Sequence, residues 1–365
     1  MEPLKPVTIT VGLGERSYEI AVGRGLLDSL GEWAKTLKMH SPIVVITDSN
    51  AGPLYAGQVI NALQCAGYEG AVLTFPAGEP SKNLNTIARL YDGLVDHRPE
   101  RRSGIVALGG GVVGDVAGFV ASTYLRGIRF IQVPTTLLAQ VDASVGGKVG
   151  IDHAGGKNLI GSFHQPSAVI IDTNTLRSLD QRQIRAGLAE IIKHGVIADV
   201  ELFEKVSQTI STLLEVDDDL YAEIIPWNCR IKSEVVEQDE KEQGLRAILN
   251  FGHTIGHAVE ALTHYTTYLH GEAVAIGMLV EAQLGMRLGI TPPDVVHRLW
   301  ELLVQVGYPL HKPELSTETL IDCMFRDKKV EGGKLRFIFP VEMGKVLIQP
   351  VDDLKRIRET WEEYS

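Results

Sequence analysis

The sequence predicts two domains: an α/β half on a mostly parallel sheet over residues 1–178, then a mainly helical half over residues 179–365. Two observations carry this. Up to about residue 180, short β-branched runs alternate with amphipathic segments and Gly-rich junctions, the pattern of a parallel sheet with crossover helices. Beyond it, apolar residues recur mainly at helical spacing, as in Leu188, Ile191 and Ile192 or Ala258 and Leu262. The length of 365 residues and 44% hydrophobic content suit two buried cores.

In chain order, strands are expected at 43–47, 71–75, 105–108, 130–133 and 169–171, each rich in Val, Ile or Leu. Thr173-Asn174-Thr175 marks the turn at which the first half ends, and the next strand signal is at 335–339. The net charge of −11 argues against a nucleic-acid sheath, which needs clustered cations. Three separated cysteines, with no Cys-x-x-Cys pair, suggest neither a disulfide framework nor a thiolate metal site and fit a reducing compartment. The N-terminus lacks an apolar signal core, and no apolar run approaches the ~20 residues of a membrane span. A soluble, cytoplasmic protein is expected, with small molecules or proteins as its partners.

The strand at 105–108 runs directly into Gly109-Gly110-Gly111-Val112-Val113-Gly114-Asp115 and an Ala- and Val-rich helix. Gly109, Gly111 and Gly114 satisfy G-x-G-x-x-G in its strand-to-helix context, where bare backbone and a helix N-terminus receive a pyrophosphate. A Rossmann-like dinucleotide domain follows; a Gly-rich turn used only for packing is the plainer reading of the same residues. Asp48, the segment Glu79-Pro80-Ser81-Lys82, and Thr135-Thr136 each follow a predicted strand, at the sheet edge where such folds bind ligands. Singly each is a turn or a helix start; together they favour a nucleotide. Gly146-Gly147-Lys148 and Gly155-Gly156-Lys157-Asn158 are two Gly-Gly-Lys turns nine residues apart, preceded by Asp142. They read as a mobile polar site, with backbone open to a ligand and a point charge suited to phosphate.

The densest run of chemistry is Arg246-Ala-Ile-Leu-Asn250-Phe-Gly-His253-Thr-Ile-Gly-His257, with His270-Gly-Glu272 beyond it. His253 and His257 share the spacing of the His-Glu-x-x-His zinc helix, but Thr254 stands where that motif has its general base, so a zinc protease is disfavoured. Three imidazoles within eighteen positions weaken the alternative of a core histidine satisfied by one backbone bond. Two His and a Glu would make an open zinc site. Gly252 and Gly256 allow close packing against another element or a ligand. Glu190 and Lys193 share one face of a helix whose apolar flanks tilt it inward, instead of forming a surface ion pair. Lys232 and Arg246 add cations, Asn250 lies one helical turn after Arg246 on the same face, and Glu242 is placed to orient the guanidinium. The sum is a metal beside a receptor for carboxylate or phosphate. Asp327-Lys328-Lys329 is either one more phosphate contact or a solvated turn.

These residues resemble the 3-dehydroquinate synthase family of sugar phosphate cyclases. The likeness runs from Gly78-Glu79 to Lys328-Lys329 through GGGVVGD, QVPTTLLAQVDASVGGKVGID, GKNLIGSFHQP, GLAEIIKHG, LRAILNFGHTIGHAVE and HGEAVAIGM. It implies a Rossmann-like NAD-binding domain, a helical metal- and substrate-binding domain, a homodimer, and catalysis in the cleft between domains. It implies Zn²⁺, or Co²⁺ in its place, on Glu190, His253 and His270. His257 then turns to the substrate phosphate with Asn158, Lys148, and Lys328 or Lys329, while Arg126 reaches the partner subunit's phosphate pocket. Lys232, Arg246 and Asn250 match the group holding the substrate carboxylate and nearby hydroxyls, and Lys193 and Asp142 join the catalytic set. For NAD the matching positions are Asp48, Glu79, Lys82, Gly110, Gly111, Val112, Val113, Gly114, Asp115, Thr135, Thr136, Asp142, Lys148, Lys157, Thr175, Leu176, Arg177 and Ser178.

The implied reaction is that of a phosphorus–oxygen lyase in aromatic amino acid biosynthesis. It takes 3-deoxy-D-arabino-heptulosonate 7-phosphate to 3-dehydroquinate and phosphate by transient NAD-dependent oxidation at C5, β-elimination of phosphate, reduction and intramolecular aldol closure. Two alternatives stay open. A metal- and NAD-dependent polyol dehydrogenase of the glycerol type shares the two-domain plan but has little use for two Gly-Gly-Lys turns and the Lys232/Arg246 pair. A cyclase for a sugar phosphate without a carboxylate would leave a buried Arg246 without its anion.

Overall fold

The first half of the chain alternates as its β-branched runs dictate. Its strands are β1 (Val7–Val11), β2 (Tyr18–Gly23), β3 (Ile43–Asp48), β4 (Gly70–Phe75), β5 (Gly104–Gly109), β6 (Arg129–Pro134), β7 (Lys148–His153), β8 (Gly156–Phe163) and β9 (Ala168–Asp172). Between them lie α1 (Leu30–Thr36), α2 (Gly57–Cys65), α3 (Leu84–His97) and α4 (Gly111–Thr123). The computed structural model describes residues 6–326, 330–331 and 334–364. Seven strands form one sheet in the order β1-β2-β9-β6-β5-β3-β4, parallel except where β1 meets β2. Both faces of its centre are buried, which is why these strands read as continuous apolar runs. Ile43 and Val45 join a cluster with Leu30, Val59 and Ile131, while Val44 and Ile46 join another with Ile87, Val116 and Phe130.

From β3 the chain first builds β4 outward and then crosses to the other side for β5, so strand order reverses between β3 and β5. Ligands of open α/β sheets sit at the carboxyl ends of the strands at such a reversal. Here those ends carry Asp48 and Gly109. The β7–β8 hairpin stands apart as a two-stranded antiparallel ribbon. The second Gly-Gly-Lys run begins in its turn at Gly155 and continues into β8; the glycine-rich sequence does not announce this hairpin as strand.

The remaining elements are α5 (Gln181–Ala198), α6 (Val200–Leu214), α7 (Asp218–Gln238), α8 (His253–Leu262), α9 (His270–Arg287), α10 (Pro293–Val306), α11 (Thr317–Arg326), the antiparallel strands β10 (Val330–Glu331), β11 (Lys334–Glu342) and β12 (Lys345–Val351), and α12 (Leu354–Glu363). The chain divides into two compact units, Met1–Leu179 with Asp218–Glu237, and Asp180–Asp217 with Gln238–Ser365. A single cut after residue 178 therefore misplaces α7. Its side chains are stitched to the first unit: Asn228 Nδ2 donates to the Val141 carbonyl at 2.7 Å, and Lys232 Nζ to Asp142 Oδ1 at 2.5 Å.

Within the second unit α9 is the hub, packing against α5, α8, α10, α12 and β11. Its residues from Gly271 to Ala282 are buried on every side, so it lacks the polar stripe of a surface helix. Three glycines set its distance from its neighbours. A Cβ on Gly271 would lie 2.1 Å from the Ala186 carbonyl oxygen of α5, and one on Gly277 would lie 1.9 Å from the Gly252 carbonyl oxygen. A Cβ on Gly256 would come within 3.0 Å of the Ala273 carbonyl oxygen. The packing role expected of Gly252 and Gly256 is thus met, with Gly277 and Ala273 as partners on the facing helix.

Replacing Gly277 or Gly271 by Ala is expected to cost about 3 kcal/mol, the upper end for an overpacked core. Gly57→Ala, where nothing lies within 4 Å of the added carbon, is expected to gain about 0.5–1 kcal/mol as the opening residue of α2. Urea unfolding of the three variants checks this; a Gly277→Ala protein as stable as its parent would contradict the close approach.

Candidate active site

Helix α5 carries Glu190 and Lys193 one turn apart, and both are buried, at 0% and 1% exposure, in an ion pair with each other. This is the inward face that the apolar flanks predicted. The run from Arg246 to His257 is not one helix. Leu245–Asn250 forms a tight 3-10 turn, and Gly252, at φ 79°, reverses the chain so that α8 starts afresh at His253. At three residues per turn, positions 246 and 250 lie about a third of a turn apart, not on the same face as a continuous α-helix would place them.

His253 and His257 project from successive turns of α8, and His270 opens α9. Their ring centroids lie 5.2 Å apart for His253–His257 and for His253–His270, and 5.9 Å apart for His257–His270. Two of the rings are held through Nδ1, by the Phe251 carbonyl oxygen at 3.1 Å from His253 and by Glu260 Oε2 at 3.0 Å from His270. Both Nε2 atoms face Glu190 Oε1, each at 3.6 Å. That is too long for a hydrogen bond. Two ligand atoms held about 2.1 Å from a tetrahedral ion, however, lie about 3.4 Å apart. Glu190, His253 and His270 offer ligand atoms that all lie within 4.8 Å of one another, and His257, Glu260 and His270 form a second such group. One carboxylate and two imidazoles suit a borderline dication and leave a position open for a substrate oxygen.

Burial alone would lower the His270 imidazole, but Glu260 and Glu190 outweigh it and push it up to about 10. The two carboxylates thus favour a proton on this ring, one that a dication bound there would displace.

The 3-10 turn carries Arg246 and Asn250, the residues expected to receive an anion. Arg246 is 2% exposed, its Nη1 donating to the Glu240 carbonyl at 2.5 Å and its backbone N–H to Asp239 Oδ2 at 3.0 Å. Asn250 Nδ2 donates to Glu242 Oε1 at 2.7 Å. Lys232, grouped with these two in the sequence, belongs to the first unit and pairs there with Asp142.

In the first unit, the Gly-rich turn enters α4 through Gly110, extended at the N-cap, and Gly111. Gly109 and Gly114 are packing glycines: an added Cβ would lie 2.5 Å from Val113 Cγ2 and 2.9 Å from Gln132 Oε1. Gly111 differs. Nothing is nearer to its Cβ position than Ala143 Cβ at 3.4 Å, so the backbone there is open to a phosphate, and the residues fit a dinucleotide. Val113 is buried beneath the turn and Val112 partly so. Asp48 is oriented at the end of β3 by accepting the Asn50 and Ala51 N–H groups on Oδ1 at 2.9 and 2.8 Å. Thr135 and Thr136 follow β6, where the Thr135 N–H donates to the Gly109 carbonyl.

Five residues that the sequence left in separate segments form one ionic cluster. Lys82 Nζ lies 2.6 Å from Asp115 Oδ2 and donates to Asn158 Oδ1 at 2.5 Å, while Lys157 Nζ pairs with Glu79 Oε1 at 3.0 Å. Burial would lower Lys82, but Asp115 and Glu79 hold it above its ordinary value; burial in turn raises Asp115. Lys82 is 5% exposed, so the plainer reading as an exposed helix start fails. The first Gly-Gly-Lys turn is less open than a mobile site: Gly147, at φ 66°, has Gln165 against it, an added Cβ lying 2.6 Å from Cδ. Lys148 follows as the exposed first residue of β7.

Thr175, Leu176, Arg177 and Ser178 form a 3-10 turn after β9. Thr175 is buried with its hydroxyl donating to the Asp172 carbonyl, and Arg177 pairs with Asp218. Arg126 is exposed at φ 70°, between Leu125 at 51° and Gly127 at 113°. Lys328 and Lys329 lie outside the described residues. Sequence reasoning passed over Glu260, although its position three after His257 and seven after His253 puts it on their face of α8. Among the described residues no helix is long and apolar enough to cross a membrane.

Because the His270 proton must leave, zinc affinity is expected to rise roughly tenfold per pH unit toward about pH 10, with one proton released per ion near neutrality. Calorimetric titration in buffers of different ionisation enthalpy measures this; binding without proton release would contradict it.

Residues 72–186 match the family described as 3-dehydroquinate synthase N-terminal, and residues 187–330 the one described as 3-dehydroquinate synthase C-terminal. The 3-dehydroquinate synthase of Desulforamulus reducens is 50% identical over 340 residues, spanning 93% of this chain and 95% of that one. Among solved structures, 2-deoxy-scyllo-inosose synthase complexed with carbaglucose-6-phosphate, NAD⁺ and Co²⁺ gives a TM-score of 0.90 at 27% identity, covering 98% of this chain and 100% of that one. The 2-epi-5-epi-valiolone synthase of Streptomyces hygroscopicus, with NAD⁺ and Zn²⁺ bound, gives 0.88 at 26% identity, covering 96% and 97%. A probable glycerol dehydrogenase of Sinorhizobium meliloti gives 0.64 at 16% identity over 93% and 94%, a likeness of fold alone. Matched in both halves, and half-identical to a relative over almost its whole length, the chain belongs to the 3-dehydroquinate synthase family.

Proposed function

We propose that the protein is a 3-dehydroquinate synthase, a lyase that converts 3-deoxy-D-arabino-heptulosonate 7-phosphate into 3-dehydroquinate and phosphate. The observation that carries this reading is the pairing, within one unit, of the Glu190/His253/His270 donor set with the buried guanidinium of Arg246. The first suits a dication that takes substrate oxygens; the second is a buried guanidinium, a group whose planar fork suits a carboxylate. A carboxylated sugar phosphate meets both needs. A polyol dehydrogenase would use the metal but not the anion receptor.

When bound, NAD would supply reversible oxidation of a secondary alcohol, and Zn²⁺, or Co²⁺ in its place, polarisation of its oxygen. The chain's own residues then have distinct tasks. Glu190, His253 and His270 hold the ion, and Lys193, buried beside Glu190, balances its charge. Arg246 and Asn250 grip the carboxylate and adjacent hydroxyls, a role that Lys232 shares. His257, Lys148 and Asn158, with Lys328 or Lys329, take the phosphate, whose departure leaves charge that cations stabilise. Asp48, Glu79, Lys82, Gly110, Gly111, Val112, Val113, Gly114, Asp115, Thr135, Thr136, Asp142, Lys157 and the turn from Thr175 to Ser178 receive NAD. Arg126, exposed and pre-set in an unusual backbone conformation, serves the phosphate pocket of a second copy in a homodimer. The cytoplasm suits such a biosynthetic enzyme, whose three cysteines form no disulfide.

With zinc and catalytic NAD⁺, purified protein should release phosphate from the heptulosonate without net NADH and stop on chelation. Stoichiometric NADH would instead identify a dehydrogenase, and turnover of sedoheptulose 7-phosphate a cyclase for a non-carboxylated sugar. Arg246→Ala should lower kcat/KM for the heptulosonate at least ~30-fold, as loss of a buried charge contact does, and leave NAD binding unchanged. Equal losses for both ligands would mark Arg246 as structural.

A further inference from the structure

We infer that Glu260 is the positioning residue of the metal centre: it fixes the His270 ring through Nδ1, and its negative charge raises the affinity of the Glu190/His253/His270 site for a dication. The inference rests on the metal reading proposed above. Its readout is metal binding, measured without substrate, so either can fail while the other stands.

The His270 ring meets a carboxylate at each nitrogen, and the two distances differ in kind. Glu260 Oε2 lies 3.0 Å from Nδ1, a hydrogen bond, whereas Glu190 Oε1 lies 3.6 Å from Nε2, the spacing of two ligands around one ion. The ring nitrogens point away from each other, so a single ion on this ring is reached from one side or the other. The Nε2 side is the richer one. There His253 presents its own Nε2, also 3.6 Å from Glu190 Oε1, with its Nδ1 turned to the Phe251 carbonyl. Both ligand imidazoles therefore follow one pattern, Nδ1 tied down and Nε2 presented. A protein acceptor on the far nitrogen sets the tautomer and makes the near nitrogen the better donor.

Glu260 is built to hold still. It is 4% exposed, and its backbone carbonyl closes the end of α8 by accepting from Tyr265 N–H at 2.8 Å. His270 is fixed from the other side, since the turn before it is capped by Glu272, whose Oε2 accepts the Leu269 N–H at 2.8 Å and whose Oε1 and Oε2 accept from Arg182 Nε and Nη2. The carboxylate and the ring thus belong to two separately anchored helices. Their hydrogen bond aligns the ring without contributing a ligand.

The test uses the full chain, stripped of metal and reloaded, with zinc affinity read by competition against a chromophoric chelator and geometry read from the visible spectrum of the Co²⁺ form. Glu260→Gln keeps the shape and loses the charge. It should bind zinc about 10- to 100-fold more weakly, keep the thermal midpoint of the metal-free parent, and retain the parent's Co²⁺ coordination number. Parent-like zinc affinity would overturn the inference. So would a Co²⁺ spectrum showing a lost ligand together with a His253→Ala protein that still holds metal, because the ion would then sit on Glu260 itself. Should Glu260→Gln fail to fold, Glu260→Asp carries the test: weakened zinc binding in a normally folded protein supports the role, and unchanged binding refutes it.

Discussion

The close approach of α9 to α5 and α8 is the contact on which the site depends. The three proposed ligands, Glu190, His253 and His270, come from three helices, and one ion could join them only if those helices meet almost backbone to backbone. Gly271 against the Ala186 carbonyl brings α5, with Glu190, to the start of α9, where His270 stands. Gly277 against the Gly252 carbonyl, and Gly256 against Ala273, bring α8 and His253 to the same helix. A methyl group at the first two places would meet backbone that cannot move aside, and packed interiors transmit such a displacement to the ligands.

Around this contact the protein keeps charges where apolar side chains would be less costly. Glu190, Lys193, Arg246 and Glu260 are each at most 4% exposed. Buried ion pairs are weak evidence for stability, since desolvation takes back most of what their attraction returns. Their concentration on α5, the 3-10 turn and α8 is better explained by the chemistry they prepare. Glu190 and Glu260 raise the proton affinity of His270, and the same field favours a dication in the proton's place.

Much of this was legible in the sequence because the signals are local. The five strands expected at 43–47, 71–75, 105–108, 130–133 and 169–171 all form, since β-branched runs bounded by Gly and polar turns leave few alternatives. The i, i+3 pair Glu190/Lys193 and the i, i+4 pair His253/His257 follow from helix geometry alone. What remained hidden depends on partners remote in sequence. The α-helical turn expected to put Arg246 and Asn250 on one face tightens to a 3-10 turn, and the chain breaks at Gly252, whose left-handed conformation packs it against α9. Helix α7 belongs with the first unit through Asn228 and Lys232, which a single cut could not foresee. Glu260 looked like one more helix carboxylate because its partner, His270, sits on another element. The cluster of Lys82, Asp115 and Asn158 joins a turn, a helix and a hairpin by tertiary contact, not by any shared motif.

Anomalous diffraction at the zinc edge, from crystals of the zinc-loaded protein, bears most directly on the proposal that Glu190, His253 and His270 hold one ion. A single strong peak should appear about 2.0–2.2 Å from a Glu190 oxygen and from the Nε2 atoms of His253 and His270, with Glu260 still bonded to Nδ1 of His270. A peak on the other side of that ring, between His257 and Glu260, would contradict it.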